Sequence, residues 1–238
     1  MSRIFQIAAM ASVLSLQVLH AQENRFTVVP FEFDPFNTRL VAAEWQGGLG
    51  CPTQATTVAD NPATPGVFDP ITVPFANLAC PTGDDRDQRI EGLMLAKTGP
   101  TANIASSGAV INGVKGIVIT ELGFDIRKAA APASPMGSHC GAGAPRFNVT
   151  TSDGVTHFVG CASPVPIIGA ASTDWTRLRY NPLLAFPPIL PTQTVDRISI
   201  VFDEGSSDTG PDFFGLAVLD NVDINGVLVG QGPRSRRE

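Results

Sequence analysis

The amino-acid sequence predicts an all-β protein, a jelly-roll-like antiparallel β-sandwich built as a single domain with long loops. Three observations carry that prediction. Apolar and polar residues alternate in short runs along the chain, and no long segment has helical periodicity. Gly and Pro number 23 and 20 in 238 residues while charged residues make up only 16%, which is a composition of short strands and many turns. The crossings between apolar runs are long and rich in proline, which favours a jelly roll over a simple meander.

The first residues predict the compartment. "MSRIFQIAAMASVLSLQVLHAQ" places Arg3 before an apolar run from Ile4 to about Leu19, followed by Ala21, the order of a secretory signal peptide over residues 1–21. The run is short for a membrane span, and no second long apolar stretch follows. No cysteine lies near the expected cut, which speaks against a lipid anchor. The expectation is an exported chain, secreted or periplasmic, with no membrane span after cleavage. Residues 22–230 form the sandwich domain and residues 231–238 a basic, flexible tail. A net charge of −6 argues against a nucleic-acid partner, which requires basic patches.

Along the mature chain, "RFTVVPFEF" predicts a first strand interrupted by Pro30. "GLGCPTQATTVADNPATPGVFDP" is a long loop leading into "ITVPFANLAC". "EGLMLAKTG" is apolar enough for a buried strand. In "GVKGIVITELGFDIR", Val118, Leu122, Phe124 and Ile126 share one face while Glu121, Asp125 and Arg127 take the other. "AAAPASPMGSHCGAGAP" is a second long loop. "PRFNVTTSDGVTHFVGC" predicts a hairpin whose Asp153-Gly154 pair forms a two-residue type I′ turn, setting Val149 opposite Phe158. "TDWTRLRYNP" and the proline-rich crossing "NPLLAFPPILPTQT" precede "VDRISIVFDEG", where Ile198, Ile200 and Phe202 share a face. The last strand is "LAVLDNVDINGVLVG". Simple alternation there puts Leu216, Val218, Val222 and Ile224 on one apolar face with Asp220 in its middle.

Four cysteines suit export, where disulfides persist. Three pairings are possible; pairing of neighbours, Cys51 with Cys80 and Cys140 with Cys161, is the expected one because each encloses a loop-rich stretch. The spacing fits neither a zinc knuckle nor a C-x-x-C redox motif.

Catalytic chemistry finds few residues. A serine hydrolase needs a base beside its nucleophile, yet only His139 and His157 follow the expected cleavage site, and no G-x-S-x-G elbow occurs. Their ordinary role is surface or hydrogen-bonded histidine. Phosphate-cradling glycine motifs are missing. Glycoside hydrolysis needs two carboxyl groups at a set separation, for which Glu44, Glu91, Glu121 and Glu204 are candidates. Asp203, Asp208 and Asp212 in "DEGSSDTGPD" are hard oxygen ligands, but the loop does not fit the EF-hand template, and such turns are ordinarily solvated. A sugar platform needs exposed aromatic faces with polar neighbours. Trp175, Arg177 and Arg179 alternate onto one side of "DWTRLRY", with Leu178 and Tyr180 on the other, and Trp45 is a second candidate.

"LDNVDING" is similar to the last strand of galactose-binding-like jelly rolls, including carbohydrate-binding modules. The longer ending "FDEGSSDTGPDFFGLAVLDNVDING" resembles that of exported bacterial β-sandwich proteins. The resemblance implies a structural calcium joining first and last strands through a carboxylate in each, here Glu32 and Asp220. A buried carboxylate otherwise needs an arginine such as Arg197, several backbone donors, or a bulge that turns it outward. The function expected is non-catalytic binding of an extracellular ligand, either polysaccharide or a matrix component. A structural surface protein and a carboxylate-dependent glycosidase are the alternatives.

Overall fold

The computed structural model describes residues 26–51, 56–60, 70–74, 83–97, 104–128, 145–161, 167–170, 175–203 and 215–234. They form fourteen strands: β1 (Thr27–Phe33), β2 (Val41–Gly47), β3 (Thr56–Asp60), β4 (Pro70–Pro74), β5 (Glu91–Lys97), β6 (Ser106–Asn112), β7 (Leu122–Lys128), β8 (Arg146–Thr151), β9 (Thr156–Val159), β10 (Ile167–Ala170), β11 (Thr176–Tyr180), β12 (Val195–Phe202), β13 (Leu216–Ile224) and β14 (Val227–Val229). One 3-10 turn, Pro182–Leu184, is capped by Asn181, whose side chain accepts from Leu183 N. Two antiparallel sheets stack as a sandwich. The first has the order β1-β6-β12-β8-β9, and the second β10-β11-β7-β13-β5-β2 with β14 on β13. β3 and β4 pair with each other as a separate ribbon. The chain passes from sheet to sheet at β1–β2, β5–β6, β6–β7, β7–β8, β9–β10, β11–β12 and β12–β13, as the sequence predicts for a jelly-roll-like path.

The core follows from alternation. Leu122, Phe124 and Ile126 of β7 face Ile198, Ile200 and Phe202 of β12 across the sandwich, all buried. Val118 is expected among them but lies before β7 and is exposed. Phe147 of the first sheet meets Phe124 and Tyr180 of the second, with ring centroids 5.4 and 6.4 Å away. These are tilted and edge-on contacts of the kind that add to burial. Along one side β1 and β2 close the sandwich. Trp45 Nε1 donates to Val28 O at 3.0 Å, and Ala43 N donates to Glu32 Oε1 at 3.1 Å, capping the free edge of β2. Pro30 sits within β1, where an edge strand tolerates a missing donor.

The β8–β9 hairpin differs from the expected two-residue turn. Phe147 pairs with Val159 and Asn148 with Phe158, so the loop holds three residues, Ser152 to Gly154. A type I′ turn needs positive φ at both central residues, whereas only Gly154 adopts it, at 84°. Asp153 instead accepts from Thr151 Oγ1 at 2.6 Å and Val155 N at 3.1 Å. The one-residue shift turns Phe158 away from the core, and it is exposed.

β13 departs from simple alternation. Asn221 lies in the left-handed region with φ 45°, and pairing with β7 slips between Asp220 and Asp223. One extra residue in a strand reverses which face the following side chains take. Ala217 and Leu219 enter the core before the bulge, and Val222 and Ile224 after it. Val218, Asp220 and Asp223 therefore point to the outer face. The expected grouping of Val218 and Asp220 with Val222 and Ile224 is broken by this bulge. Asn221 Oδ1 accepts from Gly83 N at 2.6 Å and its Nδ2 donates to Asp125 Oδ2 at 2.9 Å. Asn221→Ala should therefore lose both bonds and strain the left-handed backbone, destabilising by about 3 kcal/mol. Asn221→Gly, which relieves only the strain, should fall between it and wild type in urea unfolding; equal losses in the two variants would contradict the bulge's backbone role.

Candidate functional site

The outer face of the second sheet carries the densest group of charged side chains. Alternation sends Asp125 of β7, both Arg177 and Arg179 of β11 and Asp220 of β13 to that face, and the bulge adds Asp223. Two segments far away in sequence cover it. Gly48 N and Gly50 N donate to Arg89 O and Ile90 O, each at 2.9 Å, so the turn after β2 is stitched to residues 83–90. A Cβ on Gly50 would stand 2.0 Å from Glu91 O and 2.7 Å from Asp220 Oδ2, so only glycine allows this approach.

Beneath the cover every charge described has a partner. Arg177 forks onto Asp125 with two bonds of 3.0 Å, Nε to Oδ1 and Nη2 to Oδ2. Arg179 Nε reaches Asp223 Oδ2 at 2.8 Å and its Nη1 reaches Asp125 Oδ1 at 3.4 Å. Asp220 is wholly buried. Cys51 N donates to its Oδ2, and Asn221 N to its Oδ1 at 2.5 Å. Burial pushes the Asp220 carboxyl well above the ordinary range; those two donors oppose the shift, and the nearby charges of Asp87 and Asp125 add to it. A bulge and backbone donors thus hold Asp220.

The structure sets Glu32 and Asp220 apart. Glu32 is exposed on β1 and bonded to Ala43, which stands opposite Leu95, itself opposite Ala217. Two strand spacings across and three residues along amount to more than about 10 Å, whereas one calcium draws its ligand oxygens to within about 5 Å of each other. No group of three or more metal-ligating side chains occurs among the described residues. Arg197, the alternative partner for Asp220, is in the first sheet beside Asp196.

Trp175 is expected in solvent but is only 2% exposed. It does share the parity of Arg177. The face they share is roofed, and Leu49, Cys51 and Val218 pack around the indole. Arg127 adds its guanidinium, 5.3 Å from the ring centroid, while donating to Leu49 O at 3.1 Å. The sugar platform of Trp175, Arg177 and Arg179 is therefore not formed, because the tryptophan is core and the arginines are neutralised. Trp45 is half-buried and bonded as described above.

The remaining candidates separate cleanly. His157 is buried between Thr151 Oγ1 at 3.0 Å and Pro187 O at 2.7 Å, a structural histidine. Glu91 is buried and accepts from Gly232 N at 2.9 Å. Glu44 lies on β2 and hydrogen-bonds Gln46. Glu121 lies beside Asp223 as a like charge that helps raise the Asp223 carboxyl. Asp203 is held bidentately by Arg146 at 2.6 Å. Cys51 and Cys161 are each disulfide-bonded. Cys80 and Cys140, and with them the neighbour pairing, lie outside the described residues, as do His139, Glu204, Asp208 and Asp212. Residues 231–234 of the expected tail are docked, Gly232 onto Glu91 and Arg234 Nη2 onto Arg86 O at 2.7 Å.

A second feature is on the first sheet. Across its outer face Val29, Val110, Ser199, Asn148, Phe158 and Phe186 stand in successive register. This transverse row carries no charge. Phe158 and Phe186 exchange two backbone bonds of 2.7 and 3.1 Å, which sets their side chains on the same face. Sequence reasoning missed the row because it depends on the three-residue hairpin loop. Comparison with protein-family models, curated proteins and solved structures yields no match.

Burial pushes the Asp223 carboxyl up to about 6, Arg179 opposes the shift, and Glu121 adds to it. That value lies above the unfolded one of about 3.9. The stability this group contributes is therefore full below about pH 4 and lost as pH rises through about 6. Glu121→Gln removes the like charge and offers a donor, so the variant's melting temperature should gain a few degrees on wild type between about pH 4 and pH 7.5. An offset that does not change with pH would contradict the pairing.

Proposed function

We propose that this chain is an exported, non-catalytic β-sandwich that works by contact with extracellular macromolecules, a matrix component or polysaccharide, and not by turnover. The observation that supports this reading is the uncharged row across the first sheet, with Phe158 and Phe186 exposed at its end. Exposed aromatic side chains at the end of an uncharged row are the mark of a contact face. The buried polar layer favours the same reading from the other side. Its arginines and carboxylates are spent on one another and on backbone donors, so among the described residues that layer offers no open charged cleft for a small ligand. Export rests on the signal-peptide pattern and suits a role outside the cell.

The galactose-binding-like resemblance keeps carbohydrate among the ligands to be tested, through the row instead of through Trp175. The test uses the chain from residue 22 onward on a panel of polysaccharides and matrix proteins, with product analysis of each digest. Retention without cleavage is expected, and Phe186→Ser should weaken it at least about tenfold. Released oligosaccharides would favour a glycosidase, and failure to bind any member of the panel would overturn the reading.

A further inference from the structure

We infer that the uncharged row on the outer face of the first sheet, with the crossing beside it, is where a second copy of this chain docks, the two sheets packing face to face about a two-fold axis. The inference rests on the reading of that face as a contact surface and names its occupant. The row from Val29 to Phe186 is continued beyond β9 by the crossing of residues 181–194, "NPLLAFPPILPTQT", which contains no charged residue. That crossing is pinned against the sheet by the Phe158–Phe186 bonds and closed on itself by Ile189 N donating to Pro182 O at 3.0 Å. Its Ala185 and Ile189 are buried, while Leu183, Leu184, Phe186 and Leu190 are 48–68% exposed. A rigid, pre-formed apolar surface loses little conformational entropy on binding.

Area and charge both favour a second copy. With Val110 and Phe158, the exposed apolar side chains present on the order of 600 Å², taking roughly 200 Å² for each large side chain. Two copies then bury about 1,200 Å², the lower bound of a specific interface. A two-fold axis sets each copy's row against its equal. The row itself has no charge, so contact along it sets no like charges against each other, although the whole chain carries −6; Arg197 and Arg146 flank it two residues along β12 and β8, Arg146 already paired with Asp203. A charged partner would find nothing to pair with in the row or the crossing, and a membrane with anionic headgroups would meet no lysine or arginine there. The Phe158–Phe186 bonds also occupy the outward edge of β9, which steers association to the sheet face and away from edge-to-edge pairing.

The experiment is sedimentation velocity of the mature chain from about 1 to 100 μM, the range of weak to standard interfaces, for wild type, Phe186→Ser and Val110→Lys. These side chains are exposed, so unchanged thermal melting certifies that the variants fold. A concentration-dependent dimer whose dissociation constant rises at least about tenfold in both variants is expected. A wild type that stays monomeric throughout overturns the inference, as does a dimer indifferent to both substitutions. Monomeric wild type that co-sediments with neutral phosphatidylcholine vesicles also overturns it, in favour of lipid. The two readings fail separately: monomers whose matrix binding is lost in Phe186→Ser sink the second copy alone. A dimer lost in the variants, with no member of the panel bound, sinks only the polysaccharide or matrix partner.

Discussion

A single left-handed residue in the last long strand sets the face that the end of that strand presents and ties the cover to the outer face of the second sheet. At Asn221 the chain inserts one residue into β13, and the strand after it presents the opposite parity. Without that insertion Val222 and Ile224 could not enter the core on the same side as Ala217 and Leu219. Asparagine is suited to the position because it tolerates positive φ and carries both a donor and an acceptor. It uses them on Asp125 and on the backbone of Gly83, so the residue that makes the bulge also ties the covering segment to the sheet.

The consequence is a polar layer between sheet and cover. Buried ions are costly unless paired, and removing one partner of a buried pair costs more than the pair contributes. Here Asp125 draws on two arginines and an amide, while Asp220 draws on two backbone N–H groups. The layer therefore specifies where residues 48–51 and 83–91 sit more than it adds net stability. Trp175 and Val218 supply the apolar part of the same contact, and Gly50 permits its closeness.

Much of the fold was legible in the sequence because period-two alternation reports directly on burial. The faces of β7 and β12 were read correctly from Leu122, Phe124, Ile126, Ile198, Ile200 and Phe202. Alternation fails where one residue is inserted, and nothing local in "LAVLDNVDING" distinguishes a bulged from a regular strand. The same single-residue sensitivity governs the β8–β9 hairpin, where Asp-Gly suits two loop lengths and side-chain bonds from Asp153 decide between them. Trp175 was placed on the correct face, but its environment depends on Leu49 and Cys51, more than a hundred residues away. Local pattern cannot see a roof made of distant loops.

The two outer faces thus have opposite characters, one closed over spent charges and the other open and crossed by an uncharged row. The closed face depends on Asp220 gripping the backbone of Cys51, and amide hydrogen exchange reads that grip directly. The Cys51 N–H should be as protected as amides of the central strands, and Asp220→Ala should release it while Leu95 and Phe124 keep their protection. A Cys51 amide that exchanges freely in wild type, or stays protected without the Asp220 carboxylate, would contradict the account.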